Sequence, residues 1–268
     1  MTPDRHAQEP TADTKESSTE IDGSAARLEG QTVIVTGASA GIGAATARAL
    51  AAEGANVVLA SRSEDRLEEL AGELEGDHDV ETLVAPTNVR EESQVDSLIS
   101  ETVDRFGGID VLVNNAGLAR GSAVEDLETE AFETMQETNV EGVFYATRAA
   151  IPHVRERDGH LIFVGSFAGQ YPRPFNPVYA ATKWWVRGFA KSVAAQVGDD
   201  DIGVTIVNPS EVRSEFETTD GDTFAERFDP DEATEPREIA EAIAFAATRE
   251  SSSVSEIDLF RRDKFSGF

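Results

Sequence analysis

Seven short apolar runs, each set apart from the next by a longer stretch, leave this chain few folds to choose from. The runs are Thr32–Thr36, Val57–Ala60, Leu83–Ala85, Ile109–Asn114, Leu161–Val164, Val204–Asn208 and Ile257–Phe260. Helical candidates fall between them, near 42–53, 64–75, 91–106, 129–138, 141–156, 178–198 and 236–249. Brief Val/Ile/Leu-rich runs without polar alternation read as strands buried on both faces. Strands alternating with helices are joined by right-handed crossovers. The pattern therefore predicts an α/β fold: a doubly wound, mostly parallel seven-stranded sheet with helices on both faces, one domain over residues 28–268. Ligands of such sheets bind beyond the carboxyl ends of the strands, where strand order reverses. Function is expected in the loops that follow the strands.

Residues 1–27 lack this pattern. They are rich in Thr, Ser, Glu, Asp, Pro and Ala, and are expected to form a disordered acidic extension. They also lack the basic start and apolar core of a secretory signal. No run approaches the roughly 20 apolar residues of a membrane span. The chain has no cysteine, hence no disulfide, thiolate nucleophile or Cys-based metal site. A soluble cytoplasmic protein without a metal is the expectation.

Charge narrows the partners. Acidic residues number 51 against 23 basic, a net charge of −28, and Lys15, Lys183, Lys191 and Lys264 are the only lysines. Nucleic acid is excluded as a partner, because its phosphates would meet a strongly negative surface. Such a surface repels itself unless salt screens it, and the Debye length falls to about 3 Å at 1 M. The composition fits a halophilic protein of a salty cytosol; an ordinary acidic protein is the alternative.

The loop after the first run reads Thr36-Gly37-Ala38-Ser39-Ala40-Gly41-Ile42-Gly43. Glycines between a strand and a helix let the backbone turn tightly and approach a pyrophosphate, which rests on the amides of the helix N-terminus. The second run ends at Ser61-Arg62, where a carboxylate would hold the 2′-hydroxyl of NAD. A guanidinium there can instead pair with the 2′-phosphate of NADP. The other reading of Arg62 is a solvated residue heading the next helix, with Ser63 as its N-cap.

After the fifth run come Ser166 and then Tyr179-Ala-Ala-Thr-Lys183. Four residues apart on a helix, Tyr179 and Lys183 share a face. A phenol beside an ammonium is a weak acid made usable near neutral pH. Alone, the pair reads as readily as an interface tyrosine beside a solvated lysine.

Taken together, Thr36-Gly-x-x-x-Gly-Ile-Gly43, Asn114-Asn-Ala-Gly117, Asn139, Ser166, Tyr179-x-x-x-Lys183 and Asn208-Pro209 resemble the short-chain dehydrogenase/reductase superfamily, the single-domain Rossmann type. The likeness covers about residues 29–260. It implies an NAD(P)-dependent oxidoreductase acting on an alcohol/carbonyl pair, with NADP(H) favoured by Arg62 over NAD(H). Tyr179 would be the general acid/base, Lys183 would lower its pKa and bind the nicotinamide ribose, and Ser166 would hold the substrate oxygen. Asn139 would hold a water that relays protons to Lys183. The cofactor would lie along Gly37, Ser39, Ala40, Gly41, Ile42 and Gly43, then Ser61, Arg62, Asn88 and Val89, then Asn115, Ala116 and Gly117. Pro209, Val212 and Ser214 would flank its nicotinamide, beside Tyr179 and Lys183. Two departures stand out: Asn88 replaces the usual aspartate, and Ser210 replaces the glycine of the usual Pro-Gly.

Specificity is expected from residues 119–124, 167–178 and 214–230, the last as a mobile lid. Arg120, Arg173 and Arg213 are candidates to meet a substrate carboxylate. Trp184 and Trp185 are expected in core or subunit packing rather than on the substrate. The family resemblance implies a homodimer or homotetramer, with the tail Phe260–Phe268 a candidate for contact with a neighbouring subunit. Small ketones or 3-hydroxy acids are the expected substrates. The alternatives are a 3-oxoacyl-carrier reductase and a catalytically idle NADP-binding regulator.

Overall fold

The computed structural model describes residues 26–216, 222–230 and 232–266, so most of the expected N-terminal extension lies outside the described residues. Its strands are β1 (Thr32–Thr36), β2 (Asn56–Ser61), β3 (Thr82–Pro86), β4 (Val111–Asn114), β5 (His160–Val164), β6 (Gly203–Pro209) and β7 (Glu256–Leu259). They form one sheet in the order β3-β2-β1-β4-β5-β6-β7, and every pairing is parallel. The expected sheet is thus present and wholly parallel. Strand order reverses at β1, which pairs with β2 on one side and β4 on the other, Val33 facing both Val57 and Val111.

The helices are α1 (Gly41–Ala52), α2 (Glu64–Asp77), α3 (Glu92–Phe106), α4 (Thr129–Gln136), α5 (Gly142–Arg155), α6 (Pro177–Gln196), α7 (Phe224–Arg227) and α8 (Pro236–Ala247). Side chains alternate across a strand, so successive residues of β1 feed different cores. Val33 and Val35 join α1, α2 and α8, through Leu50, Leu67 and Ile243 among others. Ile34 joins α3, α5 and α6, through Leu98, Ala150 and Ala190. Each core is sealed by fully buried aliphatic residues, with Phe163 adding the largest ring on the second face. Burial of such side chains contributes roughly 1.5–3 kcal/mol each.

Local chemistry sets several helix ends. Gly107, at φ 78°, closes α3 in the left-handed region, its N–H donating to the Val103 carbonyl. Pro177 opens α6, and the Asn176 side chain caps it by accepting from the Tyr179 N–H. Two expectations are corrected. The strand expected from Ile109 begins at Val111. The helices expected at 129–138 and 141–156 are not separated by a loop, since a π turn over Glu137–Glu141 carries α4 directly into α5. A π turn inserts an extra residue into the helical ladder, which a 3.6-residue pattern reads as a break.

The tail is used within its own chain: Phe260, Lys264 and Phe265 pack on Phe167, which makes the expected contact with a neighbouring subunit unnecessary to explain it. Among the described residues, no helix is long and apolar enough to cross a membrane.

Candidate active site

The turn after β1 is built so that only glycine fits. Gly37 and Gly41 have φ of 68° and 54°, backbone that L side chains rarely adopt. A Cβ at Gly43 would lie 2.1 Å from the Gly37 carbonyl oxygen, so α1 can enter this close only without a side chain. Asn115 holds the turn from the neighbouring strand end, its Nδ2 donating to the Thr36 oxygen at 2.8 Å and the Gly37 oxygen at 3.2 Å. Buried Thr36 completes the joint: its hydroxyl donates to the Val113 carbonyl and accepts from the N–H groups of Asn115 and Ala116. At α1 itself the N-cap is Ala40, with no side-chain cap and no acid in the first turn. Its leading amides are therefore left for an anion.

From this turn a cleft of about 640 Å³ runs across the carboxyl ends of the strands. On the β2–β3 side it is lined by Ser61, Arg62, Asn88 and Val89, and above β1 by Gly37, Ser39, Ala40, Gly41, Ile42 and Gly43. Asn115, Ala116 and Gly117 form the wall after β4. Ser166, Tyr179, Lys183, Pro209, Val212 and Ser214 line the β5–β6 side. The cleft thus collects every residue expected to bind cofactor or act in chemistry, except Asn139.

Tyr179 and Lys183 lie one turn apart on α6, the ammonium 6.0 Å from the phenol ring centre. Ser166 ends the β5 loop, its Oγ accepting from the Ala168 N–H and hydrogen-bonded to Tyr179. Burial pushes the Tyr179 phenol above its ordinary pKa, against the opposing Ser166 hydrogen bond and the charge of Arg173. Lys183 is also buried, which lowers its pKa to about 8, and its Nζ donates to the Val164 carbonyl at 2.9 Å. Desolvation is the largest influence on the phenol, with Ser166 and Arg173 opposing it; the lowering expected from Lys183 does not figure among them.

Asn139 sits in the π turn, 1 % exposed. Its Oδ1 accepts from the Leu118 N–H, and its Nδ2 donates to the Leu118 carbonyl and to Thr182 Oγ1. The amide braces the Gly117 loop against α6. A relay water on this residue would have to use its main chain or the second Oδ1 lone pair.

The remaining expectations turn on local contacts. Ser63 heads α2 without a side-chain cap; its N–H instead donates to Ser61 Oγ. Asn88 Oδ1 already accepts from the Arg90 N–H, at 3.3 Å. Ser210 carries no positive φ, so the missing glycine strains nothing. Arg173 and Arg213 are paired with Glu211 and Glu235 rather than left for a substrate. Trp185 stacks on Phe189 at 4.7 Å, while Trp184 is about half exposed. In the segment 214–230, Phe216 lies 6.1 Å from Tyr179 and stacks on Phe224; residues 217–221 lie outside the described residues.

Sequence reasoning missed Arg66, in the first turn of α2, which lines the cleft and pairs with Glu215 at 2.7 Å. A second arginine four residues after Arg62 was a signal in plain view. Thr36 stood in the motif without a role, because that role depends on partners far along the chain.

The cradle fits a dinucleotide: a glycine turn open to an anion at the switch point, guanidiniums on one side, and a hydroxyl, phenol and ammonium on the other. A family model described as "short chain dehydrogenase" matches residues 31–223. An uncharacterized oxidoreductase of Staphylococcus epidermidis is 32% identical over 236 residues, 87% of this chain and 98% of the relative. Among solved structures, an alcohol dehydrogenase from the archaeon Thermococcus sibiricus, complexed with 5-hydroxy-NADP, has a TM-score of 0.82 and 29% identity. That match covers 89% of this chain and 99% of the other. The 3-ketoacyl-(acyl-carrier-protein) reductase of Brucella melitensis, complexed with NADH, has a TM-score of 0.79 and 30% identity, covering 88% and 98%. With a family model matching most of its length and relatives of similar size and fold, the chain belongs to the short-chain dehydrogenase family of oxidoreductases.

Proposed function

We propose that the protein interconverts a carbonyl and a secondary alcohol using NADP(H), with Tyr179 as general acid/base and small ketones or 3-hydroxy acids as substrates. The observation that carries this is one continuous cleft, with the glycine turn between Arg62 and the Ser166–Tyr179–Lys183 group. Arg62 is exposed and has no ion-pair partner among the described residues, so its guanidinium is available to a 2′-phosphate.

When bound, the dinucleotide supplies or accepts the hydride. The amides that open α1 would hold the pyrophosphate, with Ser39 and Ile42 lining the cleft beside them. Ser166 Oγ–H donates to the substrate oxygen and steadies charge as it develops. Tyr179 donates its proton to that oxygen in reduction and takes it back in oxidation. Its raised pKa keeps it protonated at neutral pH, the form reduction needs. Lys183 remains largely ammonium below about pH 8 and stabilises the phenolate left after transfer. Phe216, set against the phenol, excludes water from the reacting oxygen.

A 3-oxoacyl-carrier reductase is the second reading, favoured by the likeness to the Brucella structure. It needs a basic docking patch, and a net charge of −28 opposes it. We extend the proposal to a homodimer or homotetramer, as the family likeness implies, and to a salty cytoplasm, on the strength of the acidic surface and the scarcity of lysine. The test is turnover of NADPH with ketones, β-keto acids and acetoacetyl thioesters in high KCl. Tyr179→Phe is expected to abolish turnover while NADPH binding, read by fluorescence titration, stays nearly unchanged. An unchanged rate would end the mechanism, and tight NADPH binding without turnover on any carbonyl would favour an idle regulator.

A further inference from the structure

Two neighbouring residues of the loop after β6, Ser210 and Glu211, hold the C-terminal segment. The Ser210 N–H donates to the Leu259 carbonyl, and Ser210 Oγ accepts from the Arg261 N–H, both at 2.9 Å. Glu211 is ion-paired with Lys264, with Arg173 at 3.2 Å and with Arg261 at 4.0 Å. Its side chain is 15 % exposed and that of Lys264 only 8 %. Burial alone would raise the Glu211 pKa, but the Lys264 hydrogen bond and the charges of Lys264 and Arg173 hold it below the ordinary value. A chain with only four lysines places one of them here, inside the protein.

The clamped segment covers one ring. Phe167, 1 % exposed, directly follows Ser166. Tyr171 stacks on it at 4.3 Å, Phe260 meets it edge-on at 5.1 Å, and Phe265 lies at 6.0 Å. The Lys264 ammonium and the Arg173 guanidinium sit over the same ring at 4.4 and 4.9 Å. Cation–π contacts strengthen as they are removed from water, and the aromatic neighbours add to the hold on the ring.

We propose that residues 260–265, clamped through Glu211, are a positioning strap for the reaction: they fix Phe167 from behind and so fix Ser166 Oγ in the cleft. The inference rests on the reading of Ser166 as the group that holds the substrate oxygen. Lys264 and Phe260 are not among the residues that line the cleft, so substitutions there leave the glycine turn and Arg62 in place for the cofactor. The tail is then a working part of the single chain.

The test compares Lys264→Met, Lys264→Arg, Phe260→Ala and Glu211→Gln with the native protein. A misplacement of about 1 Å costs on the order of a hundredfold in rate, so Lys264→Met and Phe260→Ala should lower kcat by about tenfold or more. NADPH affinity by fluorescence titration should stay unchanged, and Lys264→Arg should restore the rate. Glu211→Gln, which keeps the shape and removes the charge, serves if a harsher variant fails to fold, and should also lower kcat. Native kcat in these variants, or a loss of NADPH binding in step with kcat, would overturn the proposal. Hydrogen–deuterium exchange gives a reading that needs no turnover. The amides of Ala168, Gly169 and Tyr171, each hydrogen-bonded within the β5 loop, should exchange faster in Lys264→Met, and unchanged exchange would refute the strap. Absence of turnover in the native protein would instead count against the proposed function, with the exchange result still deciding the strap.

Discussion

Replacing Lys183 by Met should remove the chemistry yet relieve a stability penalty in the cofactor-free protein, and the structure sets its size. Burial lowers the Lys183 pKa to about 8 from an ordinary 10.5. At roughly 1.4 kcal/mol per pH unit, that gap corresponds to about 3 kcal/mol. Because the folded pKa is the lower one, the unfolded chain binds the proton more tightly between about pH 8 and 10.5. The penalty is therefore complete below pH 8 and fades as pH rises towards 10.5. Met cannot donate to the Val164 carbonyl, and leaving that acceptor unpaired costs about 1–3 kcal/mol at every pH. The sharp quantity is accordingly the change with pH. Relative to the native protein, the Lys183→Met variant should lose about 3 kcal/mol of its advantage between pH 7.5 and 10.5. In a chain of this size that corresponds to about 6–12 °C in Tm. Paired urea titrations or thermal melts at fixed KCl, without cofactor, would measure it. A stability difference that stays flat across that range would refute the claim that Lys183 is held in a desolvated site.

Arg62→Ala should weaken NADPH far more than NADH in fluorescence titrations; equal weakening would reverse the cofactor assignment. Gly43→Ala should abolish binding of either dinucleotide and lower Tm, since its Cβ would meet the Gly37 carbonyl at 2.1 Å; an unaffected dissociation constant would show that the turn is not the cradle. The melting temperature should rise between low and molar KCl as screening relieves repulsion among 51 acids. A melting temperature insensitive to KCl would sink the assignment to a salty cytosol.

Local order was legible because it repeats on short periods. Val33-Ile34-Val35 is an unbroken apolar run, which marks a strand buried on both faces, and the glycines of 37–43 announce a turn that other residues cannot make. Tyr179 and Lys183 share a helix face by spacing alone. The π turn at Glu137–Glu141 was not legible, since one extra residue in a continuous helix looks like a gap in its pattern. Nor was the environment of the phenol: spacing places Lys183 beside Tyr179, but only burial decides that the phenol rises and the ammonium falls.

The sequence by itself determined the order of strands and helices and the loops at one end of the sheet in which the candidate site lies. Each of these depends on neighbours a few residues apart. Only the tertiary structure decided which distant groups meet: the Thr36 hydroxyl with the Asn115 amide, Arg66 with Glu215, and Glu211 with Lys264. With 51 acids available to 23 basic residues, the sequence permits many pairings. The packing of the β5 and β6 loops against the tail selects one, because a buried charge persists only where a specific partner replaces its water.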